Sequence, residues 1–314
     1  MLVDDYTLKE KIGKGSFGEV YLASKKGENR AYAVKVINSK FKKNAKAMKY
    51  LNNEINILKD LNHSNLLRCF EIKETSEKVF IITEYYNGGT LENFLETYRL
   101  KYNNFPSEEI VQYIMRQIIE GIKYLHNKHI IYRAVNLANI MINYEDENDR
   151  INNNIMKGKI KIIDFGFSKY LKKGELTNSV LGYPINMDPI ILFKLNKISE
   201  YKESGYDEKV DIWSLGTICY ELLIGKSPFE AVSMNGLLEK IKKGDFYIPI
   251  IISKEAISFL NCMMRFDSKE RFNIDILYNH EFLRKNVKEF TKLDVENDFE
   301  PEIKLNIYSK IEEI

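Results

Sequence analysis

Apolar and polar positions alternate in short runs up to about residue 86, which is the pattern of β-strands. The runs YTLKEKIGKG, GEVYLASKK, RAYAVKVIN and KVFIITEYY are rich in β-branched and aromatic residues and are separated by Gly, Lys and Asn turns. Between them, residues 45–61 carry Met48, Leu51, Ile55 and Leu58 at helical spacing. The pattern predicts a strand-rich first part that contains one helix.

From Thr90 onward the apolar residues recur every three to four positions, which is typical of amphipathic helices. LENFLETYRL and SEEIVQYIMRQIIEGIKYLHNK are two such stretches, and Pro106 and Ser107 mark the start of the second. VDIWSLGTICYELLIG and KEAISFLNCMM follow later in the chain. Two polar stretches, 143–158 and 194–209, are predicted to be loops. A strand-rich front and a helical back predict an α+β protein with two lobes of different class.

Composition narrows the class of protein without indicating its function. The 314 residues are 44% hydrophobic and 29% charged, and 47 basic against 45 acidic residues leave a formal charge of +2. This balance gives no reason to expect binding to nucleic acid or to a membrane. The three cysteines are far apart, the first residues lack the pattern of a signal peptide, and no apolar stretch approaches the length of a membrane span. We therefore expect a cytoplasmic protein.

Three motifs contain residue types that bind nucleotide phosphates or their metal. GKGSFG, at 13–18, lies between two predicted strands, where glycine N–H groups can approach phosphates. Lys35 lies on the third predicted strand, and Glu54 on the helix can pair with it and direct its ammonium at phosphate oxygens. Asp164 ends the apolar run IKII and precedes Phe-Gly, which suits Mg²⁺ because this ion prefers oxygen ligands. Each motif alone also fits a turn, a surface lysine or a strand end, so only their combination indicates a nucleotide site.

Two further motifs follow in the helical part of the chain. Asn139 precedes the Asp-Phe-Gly motif, and DIWSLG follows it at 211–216. In this order and spacing, residues 6–282 resemble the eukaryotic protein kinase family. The stretches YNGGTLENFL and YDEKVDIWSLGTICYELLIGKSPF are most similar to serine/threonine kinases of the autophagy-initiating branch.

The resemblance implies a bilobal kinase fold with ATP between the lobes. A small β-rich N-lobe is expected at 1–86 and a larger helical C-lobe at 87–290. Residues 291–314 are then a charged C-terminal tail. The partners implied are ATP with Mg²⁺ and a protein, such as an upstream kinase.

The resemblance also implies which residues bind ATP and Mg²⁺. Asn139 and Asp164 are the expected metal ligands. Thr83 corresponds to the gatekeeper, and 84–86 to the hinge that binds adenine. Three residues, Val20, Ala33 and Met141, are expected to enclose the adenine ring. The full set of expected nucleotide-binding residues is Ile12, Gly13, Lys14, Gly15, Ser16, Gly18, Val20, Ala33, Lys35, Glu54, Thr83, Glu84, Tyr86 and Met141.

The chain departs from the family where the phosphoryl group is transferred. The family's catalytic loop reads HRDLKxxN, whereas residues 132–139 read YRAVNLAN. Ala134 therefore replaces the Asp that orients the acceptor hydroxyl and accepts its proton. Asn136 replaces the Lys that steadies the transferred phosphoryl group. Tyr183 replaces the Thr that, in the family, bridges this Asp and this Lys. Ile190 replaces the Glu that pairs with an arginine of the C-lobe.

Two arginines of the family pattern remain, and each raises a question. Arg271 lacks its usual Glu, so that either Asp188 replaces this partner or the arginine is hydrated. Arg133 gathers a phosphorylated activation loop in the family, which makes Thr177 and Ser179 candidate acceptors for an upstream kinase. The alternative is that Arg133 is kept only for packing.

The retained nucleotide residues and the altered acceptor residues favour a pseudokinase without catalytic residues. Such a protein binds ATP and Mg²⁺ and acts as a scaffold or allosteric partner. One alternative is a serine/threonine kinase with weak or atypical γ-phosphate transfer, because this reaction depends mostly on positioning and electrostatics. Nucleotidyl transfer and a fold without nucleotide are further alternatives. A substitution engineered at Ala134 alone does not explain the other departures.

Overall fold

The computed structural model describes most of the chain. The described residues are 2–15, 18–38, 45–179, 186–244, 246–248 and 252–284. Ser16 of the expected nucleotide site lies outside them, as do Tyr183 and the tail at 291–314.

An antiparallel sheet makes up most of the first part of the chain. Within the described residues its six strands are Leu2–Val3 (β1), Tyr6–Lys14 (β2), Gly18–Lys25 (β3), Ala31–Asn38 (β4), Cys69–Glu74 (β5) and Lys78–Glu84 (β6). Their order in the sheet is β1-β2-β3-β4-β6-β5. The four predicted strands are confirmed as β2, β3, β4 and β6, whereas β1 and β5 were not predicted. The short strand β1 pairs with β2 ahead of them, so Lys35 lies on the fourth strand and not on the third.

One helix, α1 (Ala45–Asp60), accompanies the sheet, as its apolar spacing predicts. Leu51 and Leu58 are buried, and Met48 and Ile55 pack against the same core. Burial of one apolar face is what stabilises a helix of this length, because propensity alone contributes little. This packing fixes α1 relative to β4, the strand that carries Lys35.

Helices dominate the second part. Those described are Leu91–Tyr102 (α2), Glu108–Asn127 (α3), Glu147–Ile151 (α4), Pro189–Leu195 (α5), Lys209–Ile224 (α6), Met234–Lys243 (α7), Lys254–Met263 (α8), Ile274–Tyr278 (α9) and Glu281–Arg284 (α10). Helix α3 begins where predicted, because the Ser107 side chain caps its first turn. Helix α6 is buried on nearly every side and lies in the core of the helical part. None of the described helices combines the length and the apolar character needed to cross a lipid bilayer.

In the second part of the chain, four short strands of the described residues form two small antiparallel sheets. They are Ile130–Ile131 (β7), Ile140–Asn143 (β8), Lys159–Ile162 (β9) and Lys169–Tyr170 (β10). Strand β8 pairs with β9, and β7 pairs with β10. The backbone N–H of Leu67, which lies just before β5, donates to the Ile162 carbonyl at 2.9 Å. The loop at 132–139 lies between β7 and β8, and Asp164 follows β9, so both expected metal ligands lie at ends of these strands.

The polar stretch 143–158 is not the simple loop that its composition predicts. It contains α4 and a 3₁₀ turn at Ile155–Lys157. Asp146 caps α4 by accepting two backbone N–H groups, which stabilises a short helix that has no buried residue. The stretch 194–209 likewise contains a 3₁₀ turn, at Ser199–Tyr201.

The architecture is mixed α and β, with a small sheet-rich lobe followed by a larger helical lobe, as expected. The change falls between the end of β6 at Glu84 and the start of α2 at Leu91. The boundaries 1–86, 87–290 and 291–314 remain a prediction.

Candidate nucleotide site

The glycine-rich segment turns tightly between β2 and β3. The Gly15 N–H donates to the Gly18 carbonyl at 2.8 Å. A Cβ on Gly18 would lie 2.0 Å from the Val36 carbonyl oxygen, so only glycine permits this close approach of the strands. A Cβ on Gly15 would lie 3.4 Å from Cε of Lys35. The turn therefore lies against the lysine that is expected to contact phosphate.

Lys35 and Glu54 form the ion pair predicted from the sequence. Nζ of Lys35 lies 2.6 Å from Oε1 of Glu54, and the two side chains are 14% and 4% exposed. Oε2 of Glu54 is buried and accepts no hydrogen bond from the described residues. The preceding residue, Asn53, donates to the Ser168 carbonyl at 2.5 Å, a contact that the sequence does not predict. Helix α1 thus holds both the lysine and the segment that follows Asp164.

The expected hinge, at 84–86, leads from the sheet towards the helical part. Thr83, at the gatekeeper position, is buried and donates its hydroxyl to the Ala33 carbonyl at 3.2 Å. Tyr86 is also buried, and its hydroxyl accepts a backbone N–H at 3.2 Å. Burial raises the pKa of Tyr86, so its hydroxyl stays protonated. Both side chains are held by the fold, so that adenine binding by the hinge, which remains a prediction, would fall to its backbone.

The other expected nucleotide-binding residues lie on the strands around the same space. Met141 lies on β8, and Lys161 lies opposite it on β9. Nζ of Lys161 is 3.5 Å from the Glu84 carboxylate. The sequence does not predict this contact, because Lys161 is a lone lysine in an apolar strand. The remaining residues are on β2 (Ile12, Gly13 and Lys14), on β3 (Val20) and on β4 (Ala33).

The loop at 132–139 is held by amide side chains. Nδ2 of Asn136 and Nδ2 of Asn139 both donate to the Ala134 carbonyl, each at 3.0 Å. Oδ1 of Asn136 accepts the Asn139 N–H at 2.9 Å. All three residues are buried. Ala134, at the position expected for the base, therefore offers a methyl group and an already paired carbonyl.

Asp164 lies in a left-handed backbone conformation, with φ of 58°. Its Oδ1 accepts the Gly166 N–H at 3.2 Å. A non-glycine residue in this conformation stores strain of about 1–3 kcal/mol, which is common at functional sites. Phe165 is fully buried, and its ring packs edge-on against Tyr132 with centroids 5.4 Å apart. Tyr132 also donates its hydroxyl to the Ile163 carbonyl, so this residue packs and forms a hydrogen bond beside the expected metal ligand.

Asp211 of α6 fixes the start of the same loop. This fully buried carboxylate accepts the backbone N–H groups of Tyr132 and Arg133 at 2.9 and 2.7 Å. It also lies 2.9 Å from Nε2 of His126. Through Asp211, the motif DIWSLG therefore supports the loop from the core.

Arg271 pairs with Asp188, which decides between the two alternatives for its partner. Both side chains are completely buried. The guanidinium also donates to the carbonyls of Arg265, Phe266 and Lys209, at 2.7, 3.0 and 3.0 Å. Arg271 is thus paired with a carboxylate and hydrogen-bonded to three carbonyl groups inside the core.

Arg133 contacts one hydroxyl group in the segment after Asp164 and another in the turn before α6. Its Nε donates to the Phe167 carbonyl at 2.7 Å, and its Nη1 donates to Ser179 Oγ and to the Tyr206 hydroxyl, the latter at 3.1 Å. The backbones of Thr177 and Tyr206 exchange two hydrogen bonds of 2.9 and 3.0 Å. The sequence gives no signal for the part played by Tyr206.

Comparison with known families matches residues 6–283 to the protein kinase domain. The chain belongs to the protein kinase family. It is 30% identical over 289 residues to the serine/threonine-protein kinase atg1 of Dictyostelium discoideum, which covers 90% of this chain and 40% of that protein. It is 33% identical over 288 residues to the human serine/threonine-protein kinase ULK1, with 89% and 25% covered. Calcium-dependent protein kinase 5 of Plasmodium berghei is 33% identical over 281 residues, with 88% and 45% covered. The chain thus spans less than half the length of these relatives.

The kinase family implies use of ATP with Mg²⁺, and the residues present fit both groups. Asn139 and Asp164 offer oxygen atoms, and Oδ1 of Asn139 accepts no hydrogen bond from the described residues. Those residues contain no group of three or more His, Cys, Asp or Glu that could hold a metal. Two protein ligands suit Mg²⁺, because this ion takes its other ligands from water and phosphate. When bound, it would neutralise charge on the phosphate oxygens.

Proposed function

We propose that this kinase domain is a pseudokinase that binds ATP and Mg²⁺ and serves as a scaffold or allosteric partner of another protein. The observation that carries the proposal is the contrast across one cleft. On one side Lys35 and Glu54 are paired at 2.6 Å, beside the glycine-rich turn. On the other side Ala134 stands at the position of the base, with its carbonyl already paired.

The nucleotide half of the cleft supports binding. Lys35 is oriented by a buried carboxylate, and an oriented ammonium loses little freedom when it contacts a phosphate. Asn139 and Asp164 are the ligand types that Mg²⁺ takes beside phosphates. A fold without nucleotide leaves this arrangement unexplained.

The acceptor half of the cleft supports inactivity. The Ala134 methyl group can neither orient an acceptor hydroxyl nor accept its proton, and losing a positioned base typically lowers the rate by about 10²–10⁴. Asn136 carries no charge, and both of its polar side-chain atoms are engaged inside the loop. It therefore offers no cation to a γ-phosphate.

The biological setting belongs to the proposal as well. The relatives are named serine/threonine kinases, but the chain spans less than half of their length. We place the protein in the cytoplasm, in a signalling role, with a protein partner and an upstream kinase that could modify Thr177 or Ser179. Magnesium-dependent nucleotide binding is the part of the proposal that can be tested first.

Titration of the chain with ATP, with and without Mg²⁺, tests the proposal. We expect binding that Mg²⁺ strengthens, and a gain in the free energy of unfolding of about 2.7 kcal/mol at an ATP concentration 100 times the Kd. Lys35→Met should weaken binding because it removes a phosphate contact. The control is Lys26→Met, which changes an exposed lysine in the turn just after β3. No binding to the parent chain, or equal affinity in the two variants, would contradict the proposal.

A further inference from the structure

The Asn136 side chain bonds two backbone groups of the loop, one on Ala134 and one on Asn139, the expected metal ligand. Its Oδ1 accepts the Asn139 N–H at 2.9 Å, and its Nδ2 donates to the Ala134 carbonyl at 3.0 Å. Its own backbone is extended, with φ of −159° and ψ of 162°, and it immediately precedes the 3₁₀ turn Leu137–Asn139. These are the geometry and the hydrogen bond of an N-cap residue.

The orientation of Asn139 follows from the same contacts. Its Nδ2 donates to the Ala134 carbonyl at 3.0 Å, and its backbone carbonyl accepts the Ile163 N–H at 3.0 Å. Because the amide is planar, fixing Nδ2 on the Ala134 carbonyl turns Oδ1 away from that carbonyl. Asn136 therefore holds the backbone N–H of Asn139 and also the Ala134 carbonyl, to which the Asn139 side chain donates.

We infer that Asn136 is a positioning residue, which holds Asn139 so that Oδ1 is presented to Mg²⁺. The inference rests on the proposed function, because it takes Asn139 as a ligand of Mg²⁺ bound with ATP. The Asn139 N–H also reaches the backbone carbonyl of Asn136, at the longer distance of 3.2 Å. A lysine, which the family has at this position, keeps that carbonyl but has no side-chain acceptor for the Asn139 N–H. Asn136 in place of the family's lysine therefore removes a cation from the acceptor side of the cleft and adds a cap on the metal side.

Hydrogen exchange on the nucleotide-free chain tests the contact itself. In Asn136→Ala we expect the Asn139 backbone N–H to exchange about 2- to 30-fold faster, the range for losing a capping side chain. Asn136→Ser restores an acceptor and should return the rate towards that of the parent. The control is Asn273→Ala, which removes a similar cap from α9, where Asn273 accepts the Ile276 N–H at 2.9 Å, and should leave Asn139 unchanged. Unchanged exchange in Asn136→Ala would overturn the inference.

Nucleotide binding tests what the contact does for the metal. We compare the Kd for ATP in excess EDTA with the Kd in excess Mg²⁺. Asn136→Ala should leave the Kd in EDTA unchanged. It should reduce the ratio of the two Kd values, the gain in affinity from Mg²⁺, by about tenfold, because losing a partner of a metal ligand typically costs 10- to 100-fold in metal affinity. A full gain from Mg²⁺ in this variant would overturn the inference and leave the proposed function standing. Absence of ATP binding by the parent chain would overturn both.

Discussion

Asp188 illustrates how one residue can serve two purposes, because each carboxylate oxygen holds a different partner. Oδ2 pairs with the Arg271 guanidinium, and Oδ1 accepts the Ile190 N–H at 2.8 Å at the start of α5. Burying an ion pair is costly, but removing one member leaves an uncompensated buried charge, which is worse. Asp188 therefore takes over the charge of the Glu that Ile190 replaces.

We predict that Asp188→Ala lowers the free energy of unfolding by about 3–5 kcal/mol, the usual result of breaking a buried pair. Asp188→Asn keeps a capping acceptor and should lose about 1 kcal/mol less than the alanine variant. Unfolding in urea, followed by circular dichroism, measures both values.

The control for this prediction is Asp267→Ala, which removes a cap from an exposed 3₁₀ turn at Ser268–Glu270. It should cost about 1 kcal/mol. An equally small loss in Asp188→Ala would mean that the carbonyl groups around Arg271 stabilise its charge without Asp188.

The segment that follows β10 is ordered by contacts with the turn before α6. Thr177 pairs with Tyr206 through the backbone, and the Tyr206 hydroxyl donates to the Ser179 carbonyl at 2.6 Å. The same hydroxyl accepts from Arg133 at 3.1 Å. Arg133 thus has oxygen partners in the unmodified chain, before any phosphate is added to the segment.

We predict that residues 165–179 are protected from hydrogen exchange in the unphosphorylated chain, and that Tyr206→Phe removes part of this protection. Hydrogen bonds to charged groups contribute about 1.5–3 kcal/mol, so local exchange should rise by roughly 10- to 100-fold. Mass spectrometry of peptides after exchange measures the effect.

Tyr201→Phe is the matched control, because this nearby tyrosine packs its ring against Phe193 with centroids 4.9 Å apart. It should leave the segment unchanged. If the unmodified parent exchanges freely over 165–179, the segment needs phosphorylation to become ordered. Modification of Thr177 or Ser179 remains a prediction, and Ser179 is the better candidate because Thr177 is only 5% exposed.

Elements with a repeated apolar pattern could be predicted from the sequence, and those without one could not. Helix α1 was placed within one residue of its end, because its buried side chains recur at helical spacing. Helix α4 was missed, because a cap and not a buried face stabilises it. Strand β1, at Leu2–Val3, is too short to show a period.

In the candidate site, likewise, contacts within a sequence motif could be predicted and contacts between distant residues could not. The pairing of Lys35 with Glu54 was predicted, because both residues belong to a motif with fixed order. The contacts of Tyr206 with Arg133 and of Lys161 with Glu84 join residues more than 70 positions apart, and no local pattern marks them. Asn136 was recognised as a lost lysine but not as a cap, although Asn before a helical turn is a capping signal.

The whole cleft combines residues from both lobes, and its two sides differ in what they can still do. Lys35 and Glu54 come from the sheet and α1, whereas Asn139 and Asp164 come from the ends of β8 and β9. Ala134 and Asn136 lie within the loop that carries Asn139, and Tyr183 lies outside the described residues. If the chain is a pseudokinase as proposed, restoring transfer requires changes in two separate segments.

We predict that Ala134→Asp alone does not restore catalysis. The base returns, but Asn136 still offers no cation to the γ-phosphate, and Tyr183 still replaces the Thr that bridges base and lysine. Residues that act as one unit have strongly non-additive effects. Ala134→Asp combined with Asn136→Lys and Tyr183→Thr should therefore gain far more transfer than the single variant. Transfer from γ-labelled ATP, to the chain itself and to a generic protein acceptor, measures the rates.

The assay needs saturating Mg²⁺, because Asn136→Lys also removes the cap on Asn139 and should weaken the hold on the metal. Adding Lys35→Met to the triple variant should abolish transfer, which shows that the label passes through this cleft and not through a contaminating kinase. A single variant that reaches ordinary kinase rates, on the order of 1–100 per second, would show that the site is disabled at one position only. The pseudokinase proposal would then lose its main support, and a kinase inactivated by a single substitution would be the better account.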